Sequence, residues 1–282
     1  MLYEQINLED YSQTGEGGTA IAYTNRNGRT LAKLFSPGFA ADEARKEFLT
    51  GRVVYEMGLP TPEPIRLITD GTRYGAEYEL IVGKRSFTRI ISEEPEQLEP
   101  LSGLFARLSR ELHAQKADTS RLPDMKELVR DRIVRFKNLP DDLKNTLLAV
   151  LERIPSADTC LHGDLHIGNI ITDGRRNLWI DVGDFAYGRP EWDLSMMYHA
   201  GNALSDDRVK SLFHISAETL RRHWDIFTRA YWNTDDPAEL EARTKALYPY
   251  VALKLTAFVS KLHDGKGPLS ESLIRMISSY LR

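Results

Sequence analysis

The strongest constraint on the fold is a short hairpin pattern with polar residues at both of its ends. Apolar runs at 170–172 and 178–180 flank an Asp-Gly pair at 173–174. Asp-Gly between such runs is typical of a β-hairpin. Because a hairpin brings its two bases together, we expect Asn169 and Asp181 to lie close to each other, although they are twelve positions apart.

Three residues of this region have the chemistry of phosphoryl transfer. Such a reaction needs a carboxylate that orients the attacking hydroxyl and oxygen ligands that hold Mg²⁺ on the nucleotide phosphates. We therefore predict Asp164 as the catalytic carboxylate, and Asn169 and Asp181 as ligands of Mg²⁺. A zinc site at His162 and His166 is a weaker alternative, because the glycine-rich context disfavours a helix and the lone cysteine adds no second thiolate.

The composition of the 282-residue chain excludes several classes of protein. A net charge of −4 gives no basic field for nucleic acid or an anionic membrane, so neither is an expected partner. The sequence has no apolar run of about 18 residues and no signal-peptide pattern. The single cysteine rules out an internal disulfide framework and fits a reducing compartment, so we expect a cytoplasmic protein. The oligomeric state is not indicated.

A glycine cluster near the N-terminus is a candidate phosphate loop. Gly15, Gly17 and Gly18 precede β-like runs at 21–24 and 30–35, which an Asn-Gly turn joins. Glycines allow backbone N–H groups to approach a phosphate closely. A Rossmann loop would need a helix directly after the glycines, and a Walker A loop would need G-K-[ST]; the sequence has neither.

Lys33, in the second of these runs, needs a partner if it faces inward. The segment between Asp42, a candidate N-cap, and Gly58, a candidate stop, is typical of a helix. Glu47 lies on the partly apolar face of this helix. Because burying an unpaired charge is costly, we predict a Lys33–Glu47 ion pair, with Glu43 as the alternative partner one turn earlier.

The remaining pattern predicts an α+β fold with two lobes. Two more β-like runs follow at 65–69 and 74–82, after which helical periodicity begins. Helices are expected near 98–112, 125–136, 143–154, 193–204, 217–231, 237–263 and 269–281. We predict a β-rich lobe at 1–83 for the nucleotide phosphates and a mostly helical lobe at 84–282 for catalysis, with the nucleotide in a cleft.

The combined pattern resembles the aminoglycoside phosphotransferase family, the branch of the protein-kinase-like superfamily that also holds choline, fructosamine, homoserine and methylthioribose kinases. The resemblance covers essentially the whole chain. It is carried by H-G-D-x-x-x-x-N from His162, I-D-x-G-D from Ile180 and G-x-P-x-x-D-L from Gly188. It implies a bilobal protein-kinase-like fold that uses ATP and Mg²⁺ and phosphorylates a hydroxyl of a small molecule.

The resemblance also implies roles for single residues. Lys33 would bind the α- and β-phosphates, and Glu47 would orient it, since Glu47 stands thirteen residues before Pro60, as the family's spacing requires. Asp184 and Asp193 look structural in this scheme. The adenine would meet the backbone of Glu79, Leu80 and Ile81.

Departures from the protein-kinase pattern favour a small-molecule acceptor. The third loop glycine is replaced by Ala20. His162 is followed by Gly163, where protein kinases usually carry an arginine that meets their phosphorylated activation segment. Only eight residues separate Asp181 from Pro190, too few for a regulatory segment and a peptide platform. A protein kinase, an AMP-transferring enzyme and a nucleotide-binding pseudokinase stay open as alternatives, as do ATP versus GTP and the acceptor itself: aminoglycoside, amino sugar, choline-like or sugar-like alcohol.

Overall fold

The computed structural model describes residues 2–16, 19–262, 265–266 and 269–281. The chain divides into two compact units, the first made of residues 1–86 and 169–185, the second of 87–168 and 186–282. The assignment of separate roles to lobes at 1–83 and 84–282 stays a prediction. Among the described helices, none has the length and apolar character needed to span a membrane.

The described residues form eleven strands and eleven α-helices. The strands are β1 (Glu4–Gln5), β2 (Tyr11–Glu16), β3 (Ala20–Asn25), β4 (Thr30–Phe35), β5 (Pro64–Thr69), β6 (Tyr74–Glu79), β7 (Arg85–Ser86), β8 (Thr159–Leu161), β9 (Ile170–Thr172), β10 (Asn177–Trp179) and β11 (Ala186–Gly188). The helices are α1 (Ala41–Glu56), α2 (Phe87–Glu93), α3 (Leu98–His113), α4 (Met125–Arg135), α5 (Asp141–Arg153), α6 (Glu191–Ala203), α7 (Asp206–Phe213), α8 (Ala217–Trp232), α9 (Pro237–Lys245), α10 (Tyr248–Leu262) and α11 (Glu271–Ser279).

The first unit is built on a six-stranded sheet of order β1-β5-β6-β4-β3-β2. β1 pairs with β5 in parallel, and the other pairs are antiparallel. The β-like runs predicted from the sequence are therefore strands, although β6 ends at Glu79 and leaves residues 80–82 outside it. A second, three-stranded sheet has the order β10-β9-β7.

Helix α1 packs against β5 and β6 through its apolar face, where Phe48 meets Leu67 on β5. The prediction of Asp42 as the N-cap is wrong: the cap is Ala40, and its N–H donates to the Glu43 carboxylate at 3.3 Å. Since that carboxylate reaches back from the first turn, the helix begins without a side-chain oxygen at the cap. Gly58 ends the helix as predicted, in a left-handed conformation with φ +79°.

The second unit is mostly helical and is organised around α10. That helix packs against α4, α5, α6 and α11, and α3 packs against α8. The predicted helix at 237–263 is wrong in extent, because α9 ends at Lys245 and α10 begins anew at Tyr248. Pro249 lies in the first turn of α10, where its missing N–H costs nothing. The sequence pattern predicts neither of two short helices, α2 and α7.

Candidate active site

Lys33 lies at the centre of an ion-pair cluster in the first unit. Its Nζ is 2.8 Å from Oε1 of Glu47 and 2.6 Å from Oδ1 of Asp181. The predicted Lys33–Glu47 pair is thus present, and Glu43 is engaged at the cap of its own helix. Burial lowers the pKa of the Lys33 ammonium, but the charges of Asp181 and Glu47 outweigh burial and raise this pKa well above its ordinary value. Lys33 is therefore a fixed cation.

Two glycines give this cluster the space that it needs. A Cβ on Gly75 of β6 would lie 1.9 Å from the carbonyl oxygen of Lys33, so only glycine permits β4 and β6 to pair at this point. A Cβ on Gly183 would lie 2.7 Å from Cγ of Glu47. Gly183 belongs to a 3₁₀ turn, Val182–Asp184, that packs on α1. The glycine of the D-x-G motif therefore allows the Glu47 side chain to lie against this turn.

The predicted hairpin is confirmed by the pairing of β9 with β10. Ile170 lies opposite Trp179, and the N–H of Ile180 donates to the carbonyl of Asn169 at 3.0 Å. The hydroxyl of Thr61 donates to the Trp179 carbonyl at 2.9 Å, which ties the hairpin to the segment after α1. The two bases of the hairpin are adjacent, as the sequence predicts.

The side chains at these bases fit a magnesium ion by their chemistry. Asn169 offers an amide oxygen from a buried position, and Asp181 offers a carboxylate that is 51% exposed. Within the described residues, no group of three or more His, Cys, Asp or Glu side chains could hold a metal by itself. Two oxygen ligands suit an ion that takes its other ligands from water and phosphate, as Mg²⁺ does. The metal roles of Asn169 and Asp181 stay predictions.

The structure describes only some of the other residues that are predicted to contact the nucleotide. Gly15 lies on β2 beside an irregularity in its pairing with β3, whereas Gly17 and Gly18 lie outside the described residues. The N–H groups of Glu79 and Leu80 donate within the first unit, to the carbonyls of Glu63 and Arg29. Ile81 is buried among apolar side chains of the β9–β10 hairpin. These roles in nucleotide binding stay predictions.

Asp164 follows β8 in the second unit, in a loop that is held by its backbone. The N–H groups of His162 and Gly163 donate to the Asp193 carboxylate at 2.7 and 2.9 Å. The Gly163 carbonyl accepts a hydrogen bond from Nζ of Lys254 at 2.6 Å. The Asp164 side chain itself is 61% exposed. The peptide before Asp164 is therefore fixed, while its carboxylate faces solvent.

Asp193, the acceptor in this loop, is completely buried on α6. It also accepts from Nε2 of His113 at 3.1 Å, and Nζ of Lys254 lies 3.9 Å away. Burial raises the pKa of the Asp193 carboxyl, but the hydrogen bond from His113 and the charge of Lys254 outweigh burial and hold this pKa below its usual value. No partner of His113 is evident from the sequence, yet its Nδ1 also lies 2.7 Å from the Tyr231 hydroxyl.

His166, two residues after Asp164, is held on two sides within the same unit. Its Nδ1 accepts a hydrogen bond from the N–H of Gly168 at 3.0 Å. Its ring meets the ring of Phe213 edge-on, with centroids 5.1 Å apart. Its Nε2 is 3.8 Å from Oδ2 of Asp164. The sequence pattern suggests for His166 only the alternative of a zinc ligand.

Residues 18–227 match the sequence profile of the phosphotransferase enzyme family APH. The chain belongs to this family. The family predicted from the three motifs is thereby confirmed, and so is the enzyme class, a phosphotransferase. Among curated proteins, no sequence matches significantly.

Solved structures share the fold of this phosphotransferase. A thermostable mutant of the aminoglycoside phosphotransferase APH(4)-Ia, in complex with ADP and hygromycin B, aligns with a TM-score of 0.63 at 16% identity over 97% of this chain and 93% of that one. An ethanolamine kinase from Plasmodium vivax aligns at 0.59 and 15% identity, over 96% and 80% of the two chains. A choline/ethanolamine kinase family protein from Mesorhizobium loti aligns at 0.54 and 16% identity, over 96% and 85%. The predicted α+β, protein-kinase-like fold is therefore confirmed.

Proposed function

We propose that this phosphotransferase is an ATP- and Mg²⁺-dependent kinase that transfers the γ-phosphoryl group to a hydroxyl of a small molecule. The observation that carries the proposal is the cluster in which Lys33 is held as a cation between Glu47 and Asp181. A lysine fixed in this way next to a metal-binding carboxylate is suited to the phosphates of a nucleotide.

Each predicted residue has one task in this reaction. Lys33 would bind the α- and β-phosphates, with Glu47 holding its ammonium in place. Asn169 and Asp181 would hold Mg²⁺, which when bound neutralises charge on the phosphates. Asp164 would accept a hydrogen bond from the attacking hydroxyl and orient it. Positioning and charge neutralisation would then supply most of the rate enhancement.

The remaining nucleotide contacts are proposed for the glycine loop and the end of β6. They comprise Gly15, Gly17 and Gly18 for the phosphates and Glu79, Leu80 and Ile81 for the adenine. Solved structures of the same fold carry ADP in two aminoglycoside phosphotransferases and GDP in a third, which supports a nucleotide cofactor and makes GTP a direct rival of ATP.

A small-molecule acceptor is supported by the segment after Asp181. Its residues form the 3₁₀ turn Val182–Asp184 and then β11, which pairs with β8, so no length of chain is left for a regulatory segment. Two proteins of the same fold were solved with the small molecules hygromycin B and gentamicin. The cation Lys254 and the buried Asp193 support the Asp164 loop through its backbone, which leaves the exposed carboxylate available to an acceptor.

The test is a nucleotide-turnover assay with a panel of aminoglycosides, amino sugars, choline-like and sugar-like alcohols. ATP and GTP are compared with and without Mg²⁺, and the mass of the product is measured by mass spectrometry. We expect one acceptor to gain a phosphate in the presence of Mg²⁺, and Asp181→Ala to abolish this gain while the exposed control Asp235→Ala retains it. Gain of AMP mass, or tight nucleotide binding without turnover on any acceptor, would contradict the proposal.

A further inference from the structure

We propose that His166 is a positioning residue that aims the carboxylate of Asp164 by donating its Nε2–H toward Oδ2. The inference rests on the proposed function, because it takes Asp164 as the group that orients the acceptor hydroxyl. It adds a residue that no motif had placed in the reaction. The observations that carry it all lie within the second unit.

The proton position on the His166 ring follows from its hydrogen bond to the loop. Its Nδ1 faces the N–H of Gly168 at 3.0 Å, and a backbone amide can only donate. Nδ1 must therefore accept, and a neutral imidazole that accepts at Nδ1 carries its proton on Nε2. The backbone of the loop thus fixes the tautomer in which Nε2 is a donor, and this nitrogen is the one that faces Asp164.

One small movement would bring His166 and Asp164 within hydrogen-bond distance of each other. Nε2 of His166 lies 3.8 Å from Oδ2 of Asp164, longer than a hydrogen bond. The Asp164 side chain is 61% exposed, so its carboxylate has space to move toward the ring by less than about 1 Å. Catalytic hydrogen bonds undergo this kind of tightening when a substrate binds.

The ring is otherwise held too firmly to be an ordinary surface histidine. Phe213 at the end of α7 meets it edge-on at 5.1 Å. On the other side, a Cβ on Gly168 would lie 3.0 Å from both Cε1 and Nδ1 of the ring, so the loop backbone packs directly on the imidazole. His166 is therefore oriented from two directions, and its Nε2 points at Asp164 by construction of the loop.

A purely structural role would need only the bond to Gly168, and two variants separate the possibilities. His166→Asn places an amide oxygen near Nδ1 and keeps the acceptor for Gly168, but it removes the donor at Nε2. His166→Gln reaches farther, so its amide N–H replaces the Nε2 donor while the Nδ1 acceptor is lost. If His166 positions Asp164, the Gln variant should have the higher kcat. If His166 only holds the loop, the Asn variant should have the higher kcat.

The experiment measures kcat and the nucleotide KM of both variants with the acceptor found for the wild-type protein. We expect His166→Asn to lower kcat by about 10- to 100-fold, since misplacing a catalytic group by about 1 Å costs rate of this order, with the nucleotide KM unchanged. His166→Gln should recover most of that loss. The matched control is His214→Asn, at an exposed left-handed position next to Phe213 that asparagine accepts, and it should leave kcat unchanged.

A second readout does not depend on turnover. Nitrogen-15 NMR of the wild-type imidazole should show a protonated Nε2 and an unprotonated Nδ1 on His166. A proton on Nδ1 alone, a wild-type kcat in His166→Asn, or His166→Asn exceeding His166→Gln would overturn the role of His166. Absence of any turnover in the wild-type protein would instead overturn the proposed function itself, so the two failures are distinguishable.

Discussion

The replacement Asp193→Asn tests how the Asp164 loop is held. The buried carboxylate accepts three hydrogen bonds: Oδ2 from the His162 N–H and from His113, and Oδ1 from the Gly163 N–H. An asparagine keeps only one of the two oxygens. In either orientation of the amide, its NH₂ group faces a buried N–H donor that then has no acceptor.

The expected loss of stability follows from counting these groups. A buried donor left without a partner costs about 1–3 kcal/mol. Lys254, 11% exposed and 3.9 Å from Oδ1, also loses the negative charge beside it. Breaking a buried charge pair in this way typically costs about 3–5 kcal/mol. Both costs arise from the loss of one carboxylate, so they are not additive. We therefore expect Asp193→Asn to lower the free energy of unfolding by about 3–5 kcal/mol, a large share of the total for most proteins.

The assay combines denaturant unfolding with hydrogen exchange at the two amides of the loop. The free energy of unfolding should fall by about 3–5 kcal/mol. The His162 and Gly163 amides should exchange faster even under conditions where the protein is folded. The control Asp235→Asn removes a carboxylate that is 88% exposed and should change stability by less than about 0.5 kcal/mol. Adding Lys254→Met to Asp193→Asn should cost less than the sum of the single changes, because the unpaired cation is removed. An Asp193→Asn variant within about 1 kcal/mol of the wild type, with unchanged exchange, would refute this reasoning.

Three further predictions concern the first unit. Lys33→Met should lower kcat/KM for the nucleotide by about 100-fold or more, as loss of a charge-stabilising donor does, whereas the exposed control Lys46→Met should not. Gly183→Ala should reduce the same parameter, since its Cβ would lie 2.7 Å from Cγ of Glu47 and push that side chain from Lys33; thermal unfolding checks that the variant folds. Burial raises the pKa of Asp70, but hydrogen bonds from the backbone N–H groups of residues 73 and 72 outweigh it and lower this pKa to about 2 from 3.8. Because the pKa of Asp70 is lower in the folded than in the unfolded chain, its carboxylate stabilises the fold at pH values above the unfolded-state pKa. Wild-type protein should therefore be more stable than Asp70→Asn by about 1 kcal/mol at neutral pH. Unfolding curves should show this difference shrinking as the pH falls from about 4 to about 2.

Local signals in the sequence were sufficient for the parts of the site that lie close together along the chain. The Asp-Gly turn predicted the β9–β10 hairpin, and with it the adjacency of Asn169 and Asp181. The Lys33–Glu47 pair followed from two facts, a lysine in an apolar strand and a carboxylate on an inward helix face. Both inferences use the periods of strands and helices, which the sequence displays directly.

Partners distant along the chain could not be predicted in this way. Burial of a charge says that a partner exists, but it does not say which one. The Lys33–Asp181 pair joins residues 148 positions apart, and the His113–Asp193 bond joins residues 80 apart. The sequence does carry a signal for Lys254, which stands between Leu253 and Leu255 in a mainly apolar helix, as Lys33 stands between apolar residues in its strand.

The predicted helix boundaries are wrong where residue type alone does not determine the position at which a helix begins. Asp42 has a favourable side chain for an N-cap, yet the cap lies two residues earlier, at Ala40, where the Glu43 carboxylate reaches back to the N–H. The break between α9 and α10 was missed because the apolar pattern continues across it. Pro249 marks the restart, since a proline is best tolerated in a first turn.

Each of the two units holds its charged groups in a different way. In the proposed reaction Lys33 would need to keep its charge beside phosphates, and two carboxylates hold it from two elements, α1 and the turn after β10. In the proposed reaction Asp164 would need to be accessible to an acceptor. Its loop is anchored through the backbone by Asp193 and Lys254, while its side chain is exposed. We propose Nε2 of His166 as a donor that orients this carboxylate toward the acceptor. For that reason the loss from His166→Asn is expected in kcat and not in the binding of nucleotide.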